Sequence, residues 1–361
     1  MNNATKAFLK AAYREYYLRK SNSVEYPGQV EAREFGYIPF GGSMVRHLAF
    51  KSVGEATAEI LRQAPSSVYC SNARYESPAA PMEEKGWRGA ELIFDIDATD
   101  IPTTCKRSHD VWLCPNCHAA GRLPKPQKCP KCSAAPNEFK GTCAVCIGAS
   151  REHTIRLTES LVADFGVSKE EIMSYFSGNR GFHVHVSDDR FLPLDQEGRS
   201  EIAGFMRGDG LPAYQSIASN IRRRPASSVD LGVGWTRKVN SYVETRRKGY
   251  PGTILKLVSE AITSNRSLVD ASVTTDIHRV FRLAGTLHGD TGMCKLRVNS
   301  LDDFDASAPV VLSAEPVKVS VNYSPKISLN GEEFGPFTQS IQTLPTYAAV
   351  SILTRGFGEV A

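Results

Sequence analysis

ELIFDIDATD, residues 91–100, opens as a buried strand and closes on charge. Leu92, Ile93 and Phe94 form an apolar run that favours a pleated backbone, so a strand is expected with Asp95 and Asp97 at its C-terminal edge. Residues two apart on a strand share a face, which puts the two carboxylates side by side. They repel each other there, and each loses hydration if buried. The arrangement is tolerable when a cation or a shared proton sits between them, and oxygen donors of this kind suit Mg²⁺ or Mn²⁺. The same letters also fit a solvated pair at a loop edge. A calcium loop does not fit: counting from Asp95, the sixth position is Asp100 rather than Gly and the twelfth is Lys106 rather than Glu.

With Thr99 in place, Asp95-Ile-Asp97-Ala-Thr99 also resembles the nucleophile strand of haloacid-dehalogenase phosphatases, in which the first carboxylate attacks phosphorus and the second acts as acid or base. The rest of the chain has to decide between these readings.

At 361 residues the chain can bury a large core in about two domains, or in one domain with insertions. Its 41% hydrophobic and 23% charged residues are ordinary for a soluble protein. There is no cationic leader with an apolar core and no apolar run of roughly 20 residues, so no membrane partner and a cytoplasmic location are expected. The net charge of +4 is unevenly spread. Residues 199–256 hold eleven Lys or Arg against four acids, whereas residues 299–361 hold three against seven. A basic middle of this kind suggests a face for a polyanion such as nucleic acid, although a solvated helical surface has the same composition.

Seven of the nine cysteines lie between Cys105 and Cys146, a metal-site clustering rather than a disulfide framework. Cys114 and Cys117 form one Cys-x-x-Cys. Cys129 and Cys132 form another after a Pro/Gly/Lys-rich loop, the zinc-ribbon pattern. Cys105, His109, Cys143 and Cys146 enclose the ribbon and make a second complete set; His118 is a spare candidate behind Cys117. Two nested, closed and therefore structural Zn²⁺ sites are expected, holding a subdomain (105–146) too small to bury a core.

Elsewhere, residues 4–20 read as a packing helix, 33–50 as a hairpin through Gly41 and Gly42 that brings Arg33, Arg46 and His47 together, 55–64 as a helix, and 66–75 as a strand with Cys70 in the core. A helix over 147–164 is followed by a strand over 172–176, a glycine turn from Ser177 to Gly181, and a return strand. On that strand Phe182, Val184 and Val186 face the core, and His183 and His185 share the other side. The turn's backbone N–H groups, with Arg180 and His183, suit phosphate; His-x-His is also a spacing that zinc uses. Residues 199–256 read as mostly helical, broken near Pro212 and Pro225. Asp270, Asp276, Arg279, Arg282 and His288 cluster in sequence, Cys294 reads as structural, and a Ser/Asp/Pro-rich stretch from residue 300 leads to a final helix near 344–358.

Taken together, REFGY (33–37), MVRHLAF (44–50), KGWRGAELIFDID (85–97), SGNRGFHVHV (177–186) and SVTTDIHRVFRLAGTLHGDTG (272–292) resemble, in order, the catalytic small subunit of archaeal and eukaryotic DNA primase, most closely the archaeal form. The resemblance implies an α+β fold, a mixed sheet flanked by helices with the zinc subdomain at one edge. The primase catalytic domain would comprise 1–104 and 147–361, and the ribbon at 114–132 would be an insertion within the zinc knuckle. It implies a nucleotidyltransferase that makes primers on single-stranded DNA from NTPs or dNTPs, in replication machinery associated with the nucleoid, beside an iron–sulphur large subunit. Asp95, Asp97 and Asp270 would hold two divalent cations roughly 3.5–4 Å apart. Arg46, Ser177, Arg180, His183, Arg282 and His288 would contact the nucleotide, and Asp276 becomes secondary. Asn179 and Arg282 depart from the eukaryotic pattern, which has Arg and Lys there. A DxDxT phosphatase and a non-catalytic zinc-dependent single-strand binder are the alternatives, and the phosphatase reading accounts for nothing after Thr99.

Overall fold

The protein is described from a computed structural model over residues 1–211 and 233–361. Its α+β architecture is organised by Leu92–Asp97, the edge strand of a four-stranded sheet. The order is Leu296–Val298, Ile172–Phe176, Gly181–Val186, Leu92–Asp97, with every pairing antiparallel. Leu92, Phe94 and Ile96 are buried on one face with Val184 and Val186, against Leu157 and Leu161 of helix Ala144–Phe165 and Ile202 and Met206 of helix Gln196–Arg207. Each such side chain contributes about 1.5–3 kcal/mol by leaving water. The opposite face is thereby left to Asp95, Asp97, His183 and His185.

A second antiparallel sheet, Val280–Arg282, Ser67–Ser71, Phe35–Ile38 and Val45–Leu48, faces that polar side. The hairpin at 35–48 forms as expected. Residues 66–75, read as one strand, divide between this sheet and a two-stranded one formed by Ala73–Tyr75 and Trp87–Ala90. Ile93, Val273 and Phe281 make a small apolar contact joining the two four-stranded layers. Helix Asn3–Lys20 packs Leu9, Tyr13, Tyr16 and Tyr17 into the largest core beside the fully buried helix Thr346–Thr354.

Three expectations need correction. Among the described residues every strand pairing is antiparallel and the strands divide into several sheets, where one mixed sheet was expected. The stretch after residue 300 is β-rich: Pro316–Ser324 pairs with Phe337–Pro345 and Gly358–Val360, and a hairpin joins Ile327–Leu329 to Glu332–Phe334. In the basic region, helices Gln196–Arg207, Gly234–Arg246 and Ile254–Asn265 are present, and Pro212, Pro225 and Arg222 to Arg224 lie outside the described residues. The charge there is partly structural. Arg199 is fully buried and donates to the carbonyls of Ala90, Glu91, Phe191 and Leu194, while Arg237 and Lys238 pair with Asp164. Among the described residues no helix is long and apolar enough to cross a membrane.

His153 is buried in helix Ala144–Phe165, and its Nδ1 accepts from Leu268 N at 3.1 Å. Burial, then the nearby Arg156 charge, push its pKa down to about 4. The neutral ring is therefore favoured by folding, so its contribution is fully present above about 6.5 and is lost as pH falls toward 4. Urea unfolding of wild type should lose on the order of 2 kcal/mol more than His153→Gln between pH 8 and pH 5; equal losses in the two proteins would exclude this source of acid sensitivity.

Candidate active site

The pairing of Gly181–Val186 with Leu92–Asp97 puts His183 directly opposite Asp95 and Gly181 opposite Asp97. Gly181 is required by this contact, since a Cβ there would lie 2.2 Å from the Ile96 carbonyl oxygen. His183 Nε2 is 3.5 Å from Asp95 Oδ1, and Arg180 Nε donates to Asp97 Oδ1 at 3.1 Å. Asp270 N donates to the Asp95 carbonyl at 2.8 Å, so a residue 175 positions away is fixed beside the strand as the cap of helix Ala271–Thr275. Burial first, then the charges of Asp97 and Asp270, push the Asp95 pKa up to about 7. The charges of Asp97 and Asp270 thus bear on Asp95.

A divalent cation would relieve this repulsion, and an all-oxygen donor set suits Mg²⁺ or Mn²⁺. As the chain stands, Asp97 Oδ1 also accepts from Thr99 N at 2.6 Å, and Asp270 Oδ1 accepts from Ser272 N and Oγ at 2.9 and 2.7 Å.

The glycine turn carries the next group. Gly178 has φ +86°, and a Cβ there would meet His288 Cβ and the Met293 carbonyl oxygen at 3.0 Å each, so the turn lies directly against the His288 loop. Ser177 and Arg180 are both buried. Arg282 Nη1 donates to Ser67 Oγ at 3.3 Å, and its Nε has no hydrogen-bond partner among the described residues. Burial holds His183 and His288 well below the ordinary histidine range, assisted by Lys295 and His185 at the first and by Arg282 and Arg355 at the second. Both rings are neutral at pH 7 and offer one N–H each.

Arg46 is placed differently. It forks onto buried Glu34 at 2.8 and 3.2 Å, and no described hydrogen bond or ion pair joins it to the aspartates. Arg33 pairs instead with Glu91. Asp276 accepts from His278 N rather than joining the carboxylate group.

Both cysteine sets close. Among the described residues, two groups bring their ligand atoms within 4.8 Å of one another: Cys105, His109, Cys143 and Cys146, and Cys114, Cys117, Cys129 and Cys132. In the second, Cys114-Pro-Asn-Cys117-His118 and Cys129-Pro-Lys-Cys132-Ser133 fold alike. His118 and Ser133 take φ of +56° and +62°, Cys114 N donates to the Ala119 carbonyl, and Cys129 N donates to that of Ala134, both at 2.8 Å. His118 serves this turn and lies outside both groups, and His185 meets Lys295 Nζ at 3.2 Å rather than a metal set. In the first group, Cys146 Sγ lies 3.3 Å from His109 Nε2, and His109 Nδ1 meets Asp110 Oδ1 at 2.8 Å. A carboxylate behind the ligating ring is the usual support of a metal-bound histidine, so the donors fit Zn²⁺.

Two residues were not found from the sequence. Asp110, buried, accepts from Gly141 N at 3.1 Å and approaches Arg180 Nη1 at 3.9 Å, while Arg180 also donates to the Gly141 carbonyl and to Thr99 Oγ1. The segment enclosed by Cys105, His109, Cys143 and Cys146 therefore braces the arginine that holds Asp97. Arg355, just past helix Thr346–Thr354, lines a cleft of about 710 Å³ with Asn179, Arg180, Asp290 and Phe139. Burial pushes its pKa down to about 10, with Asp290 as the nearby compensating charge. A neighbouring Asp after a histidine ligand is a signal the sequence did hold; nothing local marks Arg355.

Asp110→Asn should keep the metal content of the wild-type protein by elemental analysis yet weaken nucleotide binding about tenfold through the loosened Arg180; unchanged affinity would show that the brace is only structural. Arg355→Ala should raise the KM for nucleotide by about tenfold and leave kcat largely intact, which steady-state kinetics checks.

A family model described as DNA primase small subunit matches residues 137–300. The chain is 33% identical to "DNA primase small subunit PriS" of Cenarchaeum symbiosum, over 98% of both chains. It is 32% identical to the protein of that name from Nitrosopumilus maritimus over the whole of both chains, and 32% to that of Archaeoglobus fulgidus over 98% of both. A polymerase domain of Mycobacterium tuberculosis ligase D, solved in complex with DNA, superposes with a TM-score of 0.40 at 14% identity, covering 84% of this chain and 88% of that one. Identity above 30% along the full length leaves one assignment: this chain belongs to the DNA primase small-subunit family of nucleotidyltransferases.

Proposed function

We propose that this chain synthesises primers on single-stranded DNA by joining nucleotides at Asp95, Asp97 and Asp270. The observation that carries the reading is the placement of these carboxylates beside the Ser177–Gly181 turn, where burial first, and then the charges of Asp97 and Asp270, raise Asp95 to about 7. Magnesium or manganese ions bound there would favour the alkoxide form of a strand's 3′-hydroxyl and neutralise a triphosphate.

The chain's own side chains would do the rest. Arg180 keeps Asp97 oriented toward the cation site through its bond to Oδ1. Neutral His183 and His288 donate N–H groups to phosphoryl oxygens, and Arg282 adds a fixed positive charge as charge gathers there in the transition state. The backbone N–H groups of the Ser177 turn add further donors. Attack by the 3′-oxygen on the α-phosphorus then releases pyrophosphate from the cationic side of the site. Zn²⁺ at the two Cys sets would hold the subdomain that braces Arg180. The name "small subunit" of the relatives supports a companion large subunit, expected to carry an iron–sulphur centre.

Incubation with single-stranded template, labelled NTP or dNTP and Mg²⁺ or Mn²⁺ should yield short oligonucleotides, and Asp95→Ala should lower the rate by roughly two or more orders of magnitude while nucleotide remains bound. Equal product from Asp95→Ala, or release of inorganic phosphate without a template requirement, would count decisively against the proposal.

A further inference from the structure

A second cavity, of about 410 Å³, lies between the two four-stranded sheets, lined on one side by Ile93, Tyr175 and His185 and on the other by Cys70 and Phe281. It occupies the same inter-sheet space as the aspartates. Ile93, Val273 and Phe281 pack together beside it, and the Phe281 ring lies edge-on to both His183 and His185, each at 5.8 Å. Asp95, Asp97 and Asp270 do not line the cavity, whereas Phe281 does and lies edge-on to His183, the residue opposite Asp95.

Its lining is cationic. Arg33, Arg74, Arg282, Lys295 and Arg297 stand against Glu25 and Glu91. Both acids are already engaged. Glu91 pairs with Arg33 and lies 3.8 Å from Arg74, while Glu25 accepts from Tyr175 OH at 3.1 Å and lies 3.9 Å from Arg297. Lys295 is 1% exposed and makes no ion pair among the described residues. Its Nζ contacts His185 Nε2 at 3.2 Å and the Arg282 carbonyl at 2.9 Å, above the Tyr175 ring. A buried ammonium without a carboxylate is costly, and here burial, then the neighbouring Arg282, push its pKa down to about 7.

Two further polar atoms on the wall are unsatisfied: Asn72 Oδ1, in a residue 3% exposed, and Arg74 Nε. The first needs a donor and the second an acceptor. A ligand that satisfies the wall must therefore carry anionic oxygens for Lys295 and Arg74 together with a hydroxyl or amine hydrogen for Asn72. Tyr175 and Phe281 offer ring surface, and the volume falls in the range of small-molecule sites.

We propose that this cavity is a second ligand site, taking a phosphorylated, hydroxyl-bearing small molecule of nucleoside-monophosphate size, with its phosphate on Lys295 between Arg74 and Arg297 of the lining. Because Phe281 touches both histidines, occupancy would stiffen the wall that His183 shares with the carboxylate chamber, so the site is placed to modulate nucleotide joining rather than to perform it. The ligand site rests on this cavity alone, and only its modulating role rests on the proposed nucleotide joining.

Isothermal titration of the full chain with adenosine monophosphate, with inorganic phosphate and with pyrophosphate, each into wild type, Lys295→Met, Arg297→Glu and His288→Ala, tests it. Saturable binding of adenosine monophosphate that falls about tenfold or more in Lys295→Met and Arg297→Glu, and persists in His288→Ala, is the expected result. Arg297 is half exposed, so its variant keeps the test open if the Lys295 variant does not fold. Tighter binding of inorganic phosphate or pyrophosphate than of adenosine monophosphate would overturn the assignment of a hydroxyl-bearing ligand. No binding to wild type, or binding that depends on His288 and is indifferent to Lys295 and Arg297, would overturn the site.

Discussion

Carboxylates held together against their mutual repulsion are the constraint on which the rest of this molecule depends. Asp95 and Asp97 are placed by one strand whose alternate residues are anchored in the core, and Asp270 is tied to the same strand by a hydrogen bond from its N–H to the Asp95 carbonyl. Relaxing that repulsion by moving an aspartate away would mean withdrawing Phe94 or Ile96 from a fully buried layer. Packing on one face thus enforces electrostatic tension on the other. On the proposed function, that tension is what a bound cation would relieve.

The same logic accounts for the metal-binding segment. The knuckle is too small to have a sizeable core of its own; its buried cluster consists of Trp112 with Cys114 and Cys129. Cross-linking by a metal would give that segment a fixed shape at little cost in chain length. The shape matters because Gly141 and Asp110 contact Arg180, and Thr142 Oγ1 donates to Asn179 Oδ1 at 3.1 Å. The site's principal cation is therefore held from outside its own strand, between an aspartate of the sheet and a subdomain stabilised separately from the sheet.

Much of this was legible in the chain, and the reason is local. Asp-x-Asp after an apolar run, His-x-His on a return strand and paired Cys-x-x-Cys each declare themselves within a few residues, because a strand's two-residue period or a metal's tetrahedron fixes their spacing. The C-terminal sheet was legible too: Val317, Val319 and Val321 alternate with polar residues, and Asn330-Gly331 takes φ of +54° and +75°, a hairpin turn written in two letters. It was obscured by the Ser/Asp/Pro-rich stretch before it. What no local pattern could give is the partner of each charge. Arg199 falls in a basic run read as a polyanion face and Arg46 reads as a nucleotide contact; one is sealed against four backbone carbonyls and the other is committed to Glu34. Arg355 reaches the cleft only because the last helix is buried against the first.

Register is what turns these pieces into chambers. On Leu92–Asp97 the row facing the second sheet runs Asp97, Asp95, Ile93, with Glu91 just before the strand, and its antiparallel neighbour sets Gly181, His183 and His185 across from the first three. Acid, acid, apolar, acid is thus a spatial sequence: two neighbouring carboxylates, an aliphatic side chain that meets Phe281, and a carboxylate that orders Arg33 and Arg74 around the second cavity. A slip of one residue would send every one of these groups into the core and bring Leu92, Phe94 and Ile96 out. The hydrophobic layer beneath therefore specifies, at once and without separate instructions, where charge may gather and where the wall between the two chambers stands.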